Sequence, residues 1–301
     1  MQIFIEQLIN IIKEKRIKKI TILGHDHIDE DSCISALLLQ HILKVYHIDS
    51  QIKIMDTVIN EHTLRILMKL GHDMKDYQVK ETDENDHLFL VDHYRSTHKG
   101  MVIGCIDHHP TNQQFDYLIY ENDKSSACCK KIYNYMEEAH MPIDRKIIQH
   151  VVYGLMIDTF AFKSSRGTLK DKKWVEEMVE TYDLDYKGMY ADALSLTDLG
   201  KTIEEIALTN LKVYDFEGAI VKSTYIQVDK EPHNIEEILQ ILQQNTVKEK
   251  LALWVFLLVD VEKIKTVEYR IYPKQIEKIS HDKLTSRAQG IMPKIEQLFE
   301  R

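Results

Sequence analysis

The sequence has few cysteines, no long apolar run and no excess of positive charge. Its four cysteines lack the spacing of a disulfide framework or a zinc ribbon, so we expect buried thiols in a reducing cytoplasm. The longest apolar stretch, residues 251–260, is about half of the ~20 residues that a membrane-spanning helix needs. Near the start, Glu6 and the lack of a small-residue cleavage site argue against a secretory leader. We therefore expect a cytoplasmic protein without membrane contact.

The charge balance is acidic, with 39 basic residues against 48 acidic ones and a formal net charge of −9. That balance disfavours long-range attraction to duplex nucleic acid, although a local basic pocket for a small anion stays open. No repeat or low-complexity tract is present. What the chain does have is an ordinary globular mixture with 15 histidines, several of them beside aspartates. At ~100–200 residues per domain, its 301 residues predict two domains.

The hydrophobic patterns predict an α/β domain followed by a smaller α+β domain. A strand at residues 18–23, a turn at Gly24 and a helix at residues 32–46 form a βα unit. The apolar runs 87–91 and 101–106 are typical of parallel strands that are covered on both faces. Residues 186–202 are the predicted linker region. Further helices are predicted at 2–16, 63–70, 125–140, 146–157, 170–182, 203–212, 235–244 and 294–299, and further strands at 51–55, 219–228, 251–259 and 267–273.

Histidines and acidic residues follow three of the predicted strands. The segment 24–32 is dense in both and follows the first strand, Asp92 follows the run 87–91, and Asp107 and His108 follow the run 101–106. Since the carboxyl ends of parallel strands meet at one edge of a sheet, these groups should converge. Gathered carboxylates repel one another unless a cation holds them. Mixed imidazole and carboxylate ligands suit manganese, iron, zinc or cobalt, and the number of groups allows two ions.

Other polar positions admit an ordinary structural explanation as well as a functional one. Asp31 or Ser32 could simply cap the helix that follows. Asp158, at the end of an apolar helix, opposes the helix dipole, which favours a cationic partner. Residues 163–168 form a loop with two cations that could cover the site, bind anions or be ordinary surface. Arg287, taken alone, is typical of a surface arginine.

Four motifs in this order resemble those of the DHH phosphoesterase superfamily. They are His25-x3-Asp29-x-Asp31-Ser32, Val91-Asp92-His93, Asp107-His108-His109 and Asp158-Thr159. The resemblance implies an α/β fold, in which a parallel-sheet DHH catalytic domain at 1–190 is joined by a linker at 191–199 to a smaller α+β DHH-associated domain at 200–301.

Within the superfamily, the sequence looks most like the family II inorganic pyrophosphatases, which carry a type-2 DHH-associated domain. Phe162-Lys163-Ser164 is similar to a segment of that branch. Lys212, within residues 210–214, matches its Asp-x-Lys-x-Phe segment, and Ser286-Arg287 matches the start of its Ser-Arg-Lys-Lys-Gln signature.

The resemblance also implies a role for each matching residue. Asp92 would bridge two divalent ions, most simply Mn²⁺, with Mg²⁺ or Co²⁺ as alternatives. His109 would be the general acid, and Asp107 would orient a ligand imidazole. The metal ligands would be His25, Asp29, Asp31, Asp92, His108 and Asp158. The residues that bind a small phosphate-containing substrate would be Lys212, Arg287, Ser286 and Lys163. The resemblance further suggests a homodimer formed by edge-to-edge pairing of sheets.

We therefore expect hydrolysis of a phosphoanhydride, either inorganic pyrophosphate or a small polyphosphate, by water that the metals activate. Two departures from the family keep an alternative open. His27-Ile28 stands where the family has Asn-Pro, and the two signature lysines are Ala288 and Gln289. The loss of those charges favours a longer or less charged substrate. The alternative is a DHH phosphodiesterase or exopolyphosphatase that acts on short oligonucleotides, nucleotides or polyphosphate.

Overall fold

A computed structural model describes residues 4–111, 113–198 and 200–299. The chain divides into two units, Met1–Thr159 with Thr168–Met189, and Phe160–Gly167 with Tyr190–Arg301. The second unit thus takes a short piece from within the sequence of the first, which a single linker at 191–199 does not describe. Among the described residues, no helix combines the length and the apolar character needed to cross a membrane.

The first unit contains a sheet of five parallel strands in the order β2-β1-β3-β4-β5. Strands β3 and β4 correspond to the two apolar runs that predicted parallel strands. Four of the five residues of β3 and five of the seven residues of β4 are buried. The predicted parallel sheet is confirmed. The prediction omitted β5, because it has four residues and no apolar run. The strands are β1 (Lys19–Leu23), β2 (Asp49–Lys53), β3 (His87–Val91), β4 (Met101–Asp107) and β5 (Ile119–Asn122).

In the described part of this unit lie six α-helices, and a seventh crosses the unit's limit at Met189. The seventh, α7, occupies the start of the predicted linker region, where no helix was predicted. Its first turn is stabilised by Asp185, whose Oδ1 accepts from the amide of Gly188 at 2.9 Å. The helices are α1 (Phe4–Glu14), α2 (Glu30–Val45), α3 (Glu61–Lys69), α4 (Cys128–Glu138), α5 (Arg145–Asp158), α6 (Leu169–Thr181) and α7 (Tyr186–Ala193).

The second unit contains a mixed sheet of five strands in the order β10-β9-β8-β7-β6. Strands β7 and β8 are parallel, with helix α9 between them in sequence, and the other pairs are antiparallel. The predicted α+β class is therefore confirmed. The strands are β6 (Lys212–Phe216), β7 (Ala219–Val228), β8 (Leu253–Asp260), β9 (Lys265–Ile271) and β10 (Ile276–His281), and the helices are α8 (Ile203–Ala207), α9 (Ile235–Lys248) and α10 (Met292–Glu296).

The core of the second unit surrounds β8, whose eight residues are all buried. Trp254 is fully buried there, and its indole N–H donates to the hydroxyl of Thr224 at 3.0 Å. The predicted helix at 203–212 is too long, since α8 ends at Ala207 and β6 begins at Lys212. Between them Asn210 adopts a left-handed conformation with φ of 56°, which is incompatible with a continuing helix.

Candidate metal centre

The six predicted metal ligands all belong to the first unit, at the carboxyl ends of its strands or on adjoining helices. His25 follows β1 by two residues, Asp92 follows β3 directly, and His108 follows β4 directly. Three overlapping groups have donor atoms within 4.8 Å of one another. These groups are His25, Asp29 and Asp92; Asp31, His108 and Asp158; and Asp92, His108 and His109. The structure thus brings together all six residues, with Asp92 shared by two groups.

His25 presents a ring nitrogen to two carboxylates. Its Nδ1 lies 2.9 Å from the carbonyl oxygen of Asp26, and its Nε2 lies 3.1 Å from Oδ2 of Asp29 and 3.3 Å from Oδ2 of Asp92. A carbonyl oxygen can only accept, so Nδ1 carries a proton, and in the neutral ring Nε2 would carry the lone pair. A lone pair that faces two carboxylates is unfavourable without a positive charge between them.

The same arrangement occurs at His108. Its Nδ1 donates to the carbonyl of Ser125 at 3.0 Å, while Nε2 lies 3.1 Å from Oδ1 of Asp92 and 3.6 Å from Oδ2 of Asp31. Oδ1 of Asp92 is buried and makes no hydrogen bond of acceptable geometry among the described residues. Imidazoles that bind metals usually donate their other N–H to a carbonyl, as both rings do here. The donor set therefore fits divalent metal ions.

Backbone conformation contributes to the position of Asp92. The residue has a left-handed φ of 62°, and its amide donates to the carbonyl of Ile106 at 2.9 Å, which continues the β3–β4 ladder by one step. A non-glycine residue in this region costs roughly 1 kcal/mol, and such strain is concentrated at functional sites. Burial would raise the pKa of Asp92, but the neighbouring His108, His109 and His25 outweigh it and hold that pKa well below its usual range.

Asp31 has a structural role in addition to its place in the cluster. Its two oxygens accept from the amides of Cys128 at 2.7 Å and Cys129 at 2.8 Å, at the start of α4. Burial, followed by the charges of Asp92 and Asp158, raises the pKa of Asp31 to about 7. A cation in the cluster would oppose that rise because it stabilises the ionised carboxylate.

Neither Asp31 nor Ser32 caps helix α2. The residue that caps α2 is Asp29, whose Oδ1 accepts from the amide of Ser32 at 3.2 Å. The hydroxyl of Ser32 accepts instead from the amide of His25 at 3.1 Å. Gly24 permits this fold of the loop, since a Cβ there would lie 2.5 Å from the Ser32 hydroxyl. Asp29 thus combines a helix cap through one oxygen with an approach to His25 through the other.

Asp107 contacts His109, and its predicted role in orienting a ligand imidazole stays a prediction. Its Oδ1 accepts from Nδ1 of His109 at 2.8 Å and from the amides of His108 and His109 at 2.7 Å and 3.1 Å. Burial would raise the pKa of Asp107, but the neighbouring His109 lowers it, so the carboxylate stays ionised. An ionised carboxylate at Nδ1 stabilises a protonated ring, whose Nε2 can then donate a proton.

Asp56 is a contributor that the sequence analysis missed. Its two oxygens accept from the amides of His27 at 2.6 Å and Ile28 at 3.0 Å, between His25 and Asp29. His27 has a left-handed φ of 60°, so this loop needs an external constraint. A signal was present, because Asp56 follows a predicted strand just as Asp92 and Asp107 do. The strand pattern at 51–55 was too weak for that position to be noticed.

The four predicted substrate-binding residues lie in the second unit. The guanidinium of Arg287 donates to the carbonyl of Asn210 and lies 5.1 Å from the ring centroid of Tyr225. Lys212 is the first residue of β6, two positions after Asn210. Ser286 accepts from the amide of Gln289 at 3.2 Å, and Nζ of Lys163 donates to the carbonyl of Val261 at 3.4 Å. Arg287 therefore contacts Asn210, which precedes Lys212 by two residues.

Residues 19–155 match the model of the DHH family, N-terminal domain. The chain contains a DHH domain. The matched residues run from β1 into α5 and include every predicted ligand except Asp158. Three of the four sequence motifs, and the clustered imidazoles and carboxylates other than Asp158, therefore lie within the matched domain.

Full-length relatives extend the likeness beyond this domain. A protein named manganese-dependent inorganic pyrophosphatase from Methanothrix thermoacetophila is 25% identical over 94% of this chain and 99% of its own. One of the same name from Methanocaldococcus jannaschii is 27% identical over 80% of this chain and 83% of its own. The crystal structure of a putative family II inorganic pyrophosphatase from Methanococcus jannaschii has a TM-score of 0.78 at 20% identity, over 93% of this chain and 99% of that one. The last comparison shows that the fold is shared along nearly the whole chain.

Proposed function

We propose that this protein is a metal-dependent phosphohydrolase that cleaves inorganic pyrophosphate or a small polyphosphate. The observation that carries the proposal is the pair of imidazoles, His25 and His108, whose Nε2 atoms both face the shared carboxylate of Asp92. This donor set lies on a DHH domain whose full-length relatives are named manganese-dependent inorganic pyrophosphatases. Those names support pyrophosphate as the substrate and manganese as the metal.

The chain offers ligands for two divalent ions. His25, Asp29 and Asp92 would hold one of them, and Asp31, Asp92, His108 and Asp158 would hold the other. Bound divalent ions lower the pKa of coordinated water and neutralise phosphate oxygens, which is the chemistry that hydrolysis of a phosphoanhydride needs. Mixed nitrogen and oxygen donors suit Mn²⁺, and Mg²⁺ or Co²⁺ are the alternatives.

Proton transfer to the leaving group is the proposed role of His109. With Nδ1 bound to the ionised carboxylate of Asp107, the protonated ring can donate from Nε2 to the departing phosphate oxygen. Asp107 would act through His109 and not on the substrate. This arrangement separates proton donation from the residues that hold metal.

Substrate binding is proposed for Arg287, Lys212, Ser286 and Lys163. A guanidinium matches two phosphate oxygens at once, and an ammonium group adds charge without a fixed geometry. Neither Ala288 nor Gln289 can supply the positive charge that the family's signature places there. The proposed substrate therefore remains a class of small phosphoanhydrides, of which pyrophosphate is the member that the relatives' names favour. An edge-to-edge homodimer likewise remains a prediction.

The decisive experiment is a substrate panel with purified protein and Mn²⁺. The panel contains pyrophosphate, tripolyphosphate, a linear dinucleotide and a cyclic dinucleotide, and phosphate or nucleotide release is measured. We expect pyrophosphate or tripolyphosphate to have the highest kcat/KM, and chelation of Mn²⁺ to abolish the activity. Asp92→Ala should reduce it by at least 10³-fold, while Asp116→Ala, an exposed control, should not. Full activity of the Asp92 variant with Mn²⁺ would refute the assignment, and preference for a dinucleotide would establish the phosphodiesterase alternative.

A further inference from the structure

A cavity in the first unit is lined by four histidines and is separate from the proposed metal centre. Its volume is about 880 Å³, and His41, His47, His72 and His150 line it. Helix α2 has Asp31 of the centre in its first turn. Ten residues of helix at ~1.5 Å each place His41 about 15 Å further along the axis. Nothing in the proposed hydrolysis uses these histidines.

His72 and His150 meet in this cavity through their ring nitrogens. Their Nε2 atoms lie 2.9 Å apart, and the rings are nearly perpendicular. Nδ1 of His150 donates to the carbonyl of Lys146 at 2.6 Å, one turn earlier in α5. Since that carbonyl can only accept, Nε2 of the neutral His150 ring carries the lone pair. Burial lowers the pKa of His150 to about 4, so the ring is neutral at physiological pH.

This geometry has the features of a preformed half of a metal site. Metal-binding histidines commonly donate their other ring N–H to a backbone carbonyl, as His150 does from Nδ1. The Nε2 atom of His150 is directed at a second imidazole, that of His72. The two rings come from different elements, His150 from α5 and His72 from the turn after α3, so a small displacement can open the pair around an ion. Without an ion, a single N–H···N hydrogen bond holds the pair together.

We propose that His72 and His150 bind a zinc-type transition metal ion through Nε2, with water completing its coordination. The proton on Nε2 of His72 moves through solvent to Nδ1 when the metal binds, so the ring stays neutral and no net proton is released. All-imidazole donors suit Zn²⁺, Ni²⁺ or Cu²⁺ better than Mn²⁺. The cavity would therefore select a different ion from the carboxylate-rich centre.

The charged residues of the cavity neither favour nor oppose this ion. Asp49 and Asp144 line it, and so do Lys44 and Lys146, all four of them exposed. Two carboxylates and two ammonium groups cancel in formal charge, and each of them remains in contact with solvent. The imidazoles thus decide the selectivity. A simple anion site is less well supported, because neutral imidazoles add no positive charge.

The test is a zinc titration of the full-length protein by calorimetry. Asp92→Ala serves as the background, since it weakens the carboxylate-rich centre where Zn²⁺ would also bind. We expect this variant to bind a zinc ion that the double variant Asp92→Ala/His72→Gln binds at least 10-fold more weakly. His72 is only half-buried, so this substitution is milder than His150→Gln, which serves as the second variant. His233→Gln, at an exposed position of the second unit, is the matched control and should change nothing.

Cobalt provides a readout that a merely structural role of His72 would not alter. The Co²⁺-loaded Asp92→Ala protein should show visible absorption from imidazole ligation, and the His72 variant should lose that band. Equal zinc affinity and an unchanged cobalt spectrum in the His72 and His150 variants would overturn the proposal. The outcome is independent of the proposed hydrolysis, because the titration measures no turnover.

Discussion

At the scale of single residues, the centre depends on which nitrogen of each histidine carries the proton. His25 and His108 each donate from Nδ1 to a backbone carbonyl, which leaves Nε2 for a metal, whereas His109 donates from Nδ1 to the carboxylate of Asp107. A carbonyl acceptor fixes a proton on Nδ1, and an ionised carboxylate adds a negative charge beside the ring. Neighbouring histidines of one motif are thus prepared for different chemistry by the acceptor at Nδ1.

A prediction at this scale concerns Asp107→Asn. The substitution preserves shape but removes the charge that stabilises the protonated ring of His109. We expect kcat for pyrophosphate to fall by about 10²-fold, the usual range for loss of a general acid. KM and the calorimetric affinity for Mn²⁺ should stay within about threefold, since Asp107 is proposed to bind neither. Asp116→Asn, at an exposed position nearby in sequence, is the control, and a parallel loss of Mn²⁺ affinity in the Asp107 variant would contradict the positioning role.

At the scale of elements, the loop between β1 and α2 has to position two proposed metal ligands, His25 and Asp29, which are four residues apart. It does so with Gly24 packed against Ser32, with Asp29 as the cap of α2, and with Asp56 holding the amides of His27 and Ile28. The first two of these constraints are local, and the contact with Asp56 spans 28 or 29 positions of sequence. The loop's geometry therefore depends on the strand β2 that precedes Asp56.

We predict that Asp56→Ala weakens Mn²⁺ binding by about 10-fold or more, as loss of supporting contacts to ligands commonly does. The two amides lose their acceptor, and the left-handed conformation at His27 is then unsupported. Calorimetric titration with Mn²⁺ measures the effect, and saturating Mn²⁺ should restore most of the hydrolysis. Asp73→Ala is a matched control, because Asp73 also accepts from a backbone amide, that of Lys75 at 3.0 Å. Unchanged Mn²⁺ affinity in the Asp56 variant would show that the loop keeps its conformation without the contacts to Asp56.

The strands that sequence patterns missed are all edge strands. Strands β5, β6 and β10 lie at the edges of their sheets, and in β10 no residue is buried. Edge strands have one neighbour only and need no continuous apolar run, so hydrophobic periodicity does not reveal them. The central strands β3 and β8 were evident because burial on both faces requires apolar side chains throughout.

At the scale of the whole molecule, the proposed residues divide between two units. The six proposed metal ligands and His109 belong to the first unit, and Arg287, Lys212, Ser286 and Lys163 belong to the second. Lys163 is in the second unit although it follows Asp158 by only five positions, because Phe160–Gly167 is part of that unit. Metal binding and phosphate binding should therefore be separable by mutation.

Arg287→Ala tests this separation. We expect kcat/KM for pyrophosphate to fall by about 10²-fold, the scale for removing one group that stabilises phosphate charge, mainly through KM. The amount of bound Mn²⁺, measured by elemental analysis, should equal that of the unchanged protein. Lys274→Ala, an exposed cation of the same unit, is the control for a general loss of positive charge. If the Arg287 variant loses metal, its assignment to substrate is wrong.

The sequence by itself determined the kinds of chemistry and their place on the fold. Asp92, Asp107 and His108 follow strands that had to be buried and parallel, and such strands deliver their carboxyl ends to one edge. Only the tertiary structure decided which partner each group has, such as Asp107 with His109, Asp31 with the amides of α4, and Asp56 with the loop. These choices depend on distances of about 3 Å, because a hydrogen bond weakens steeply beyond that distance. For Asp31 and Asp56 the partners are also far apart in sequence. Periodicity and spacing specify faces and edges, but they do not resolve that distance.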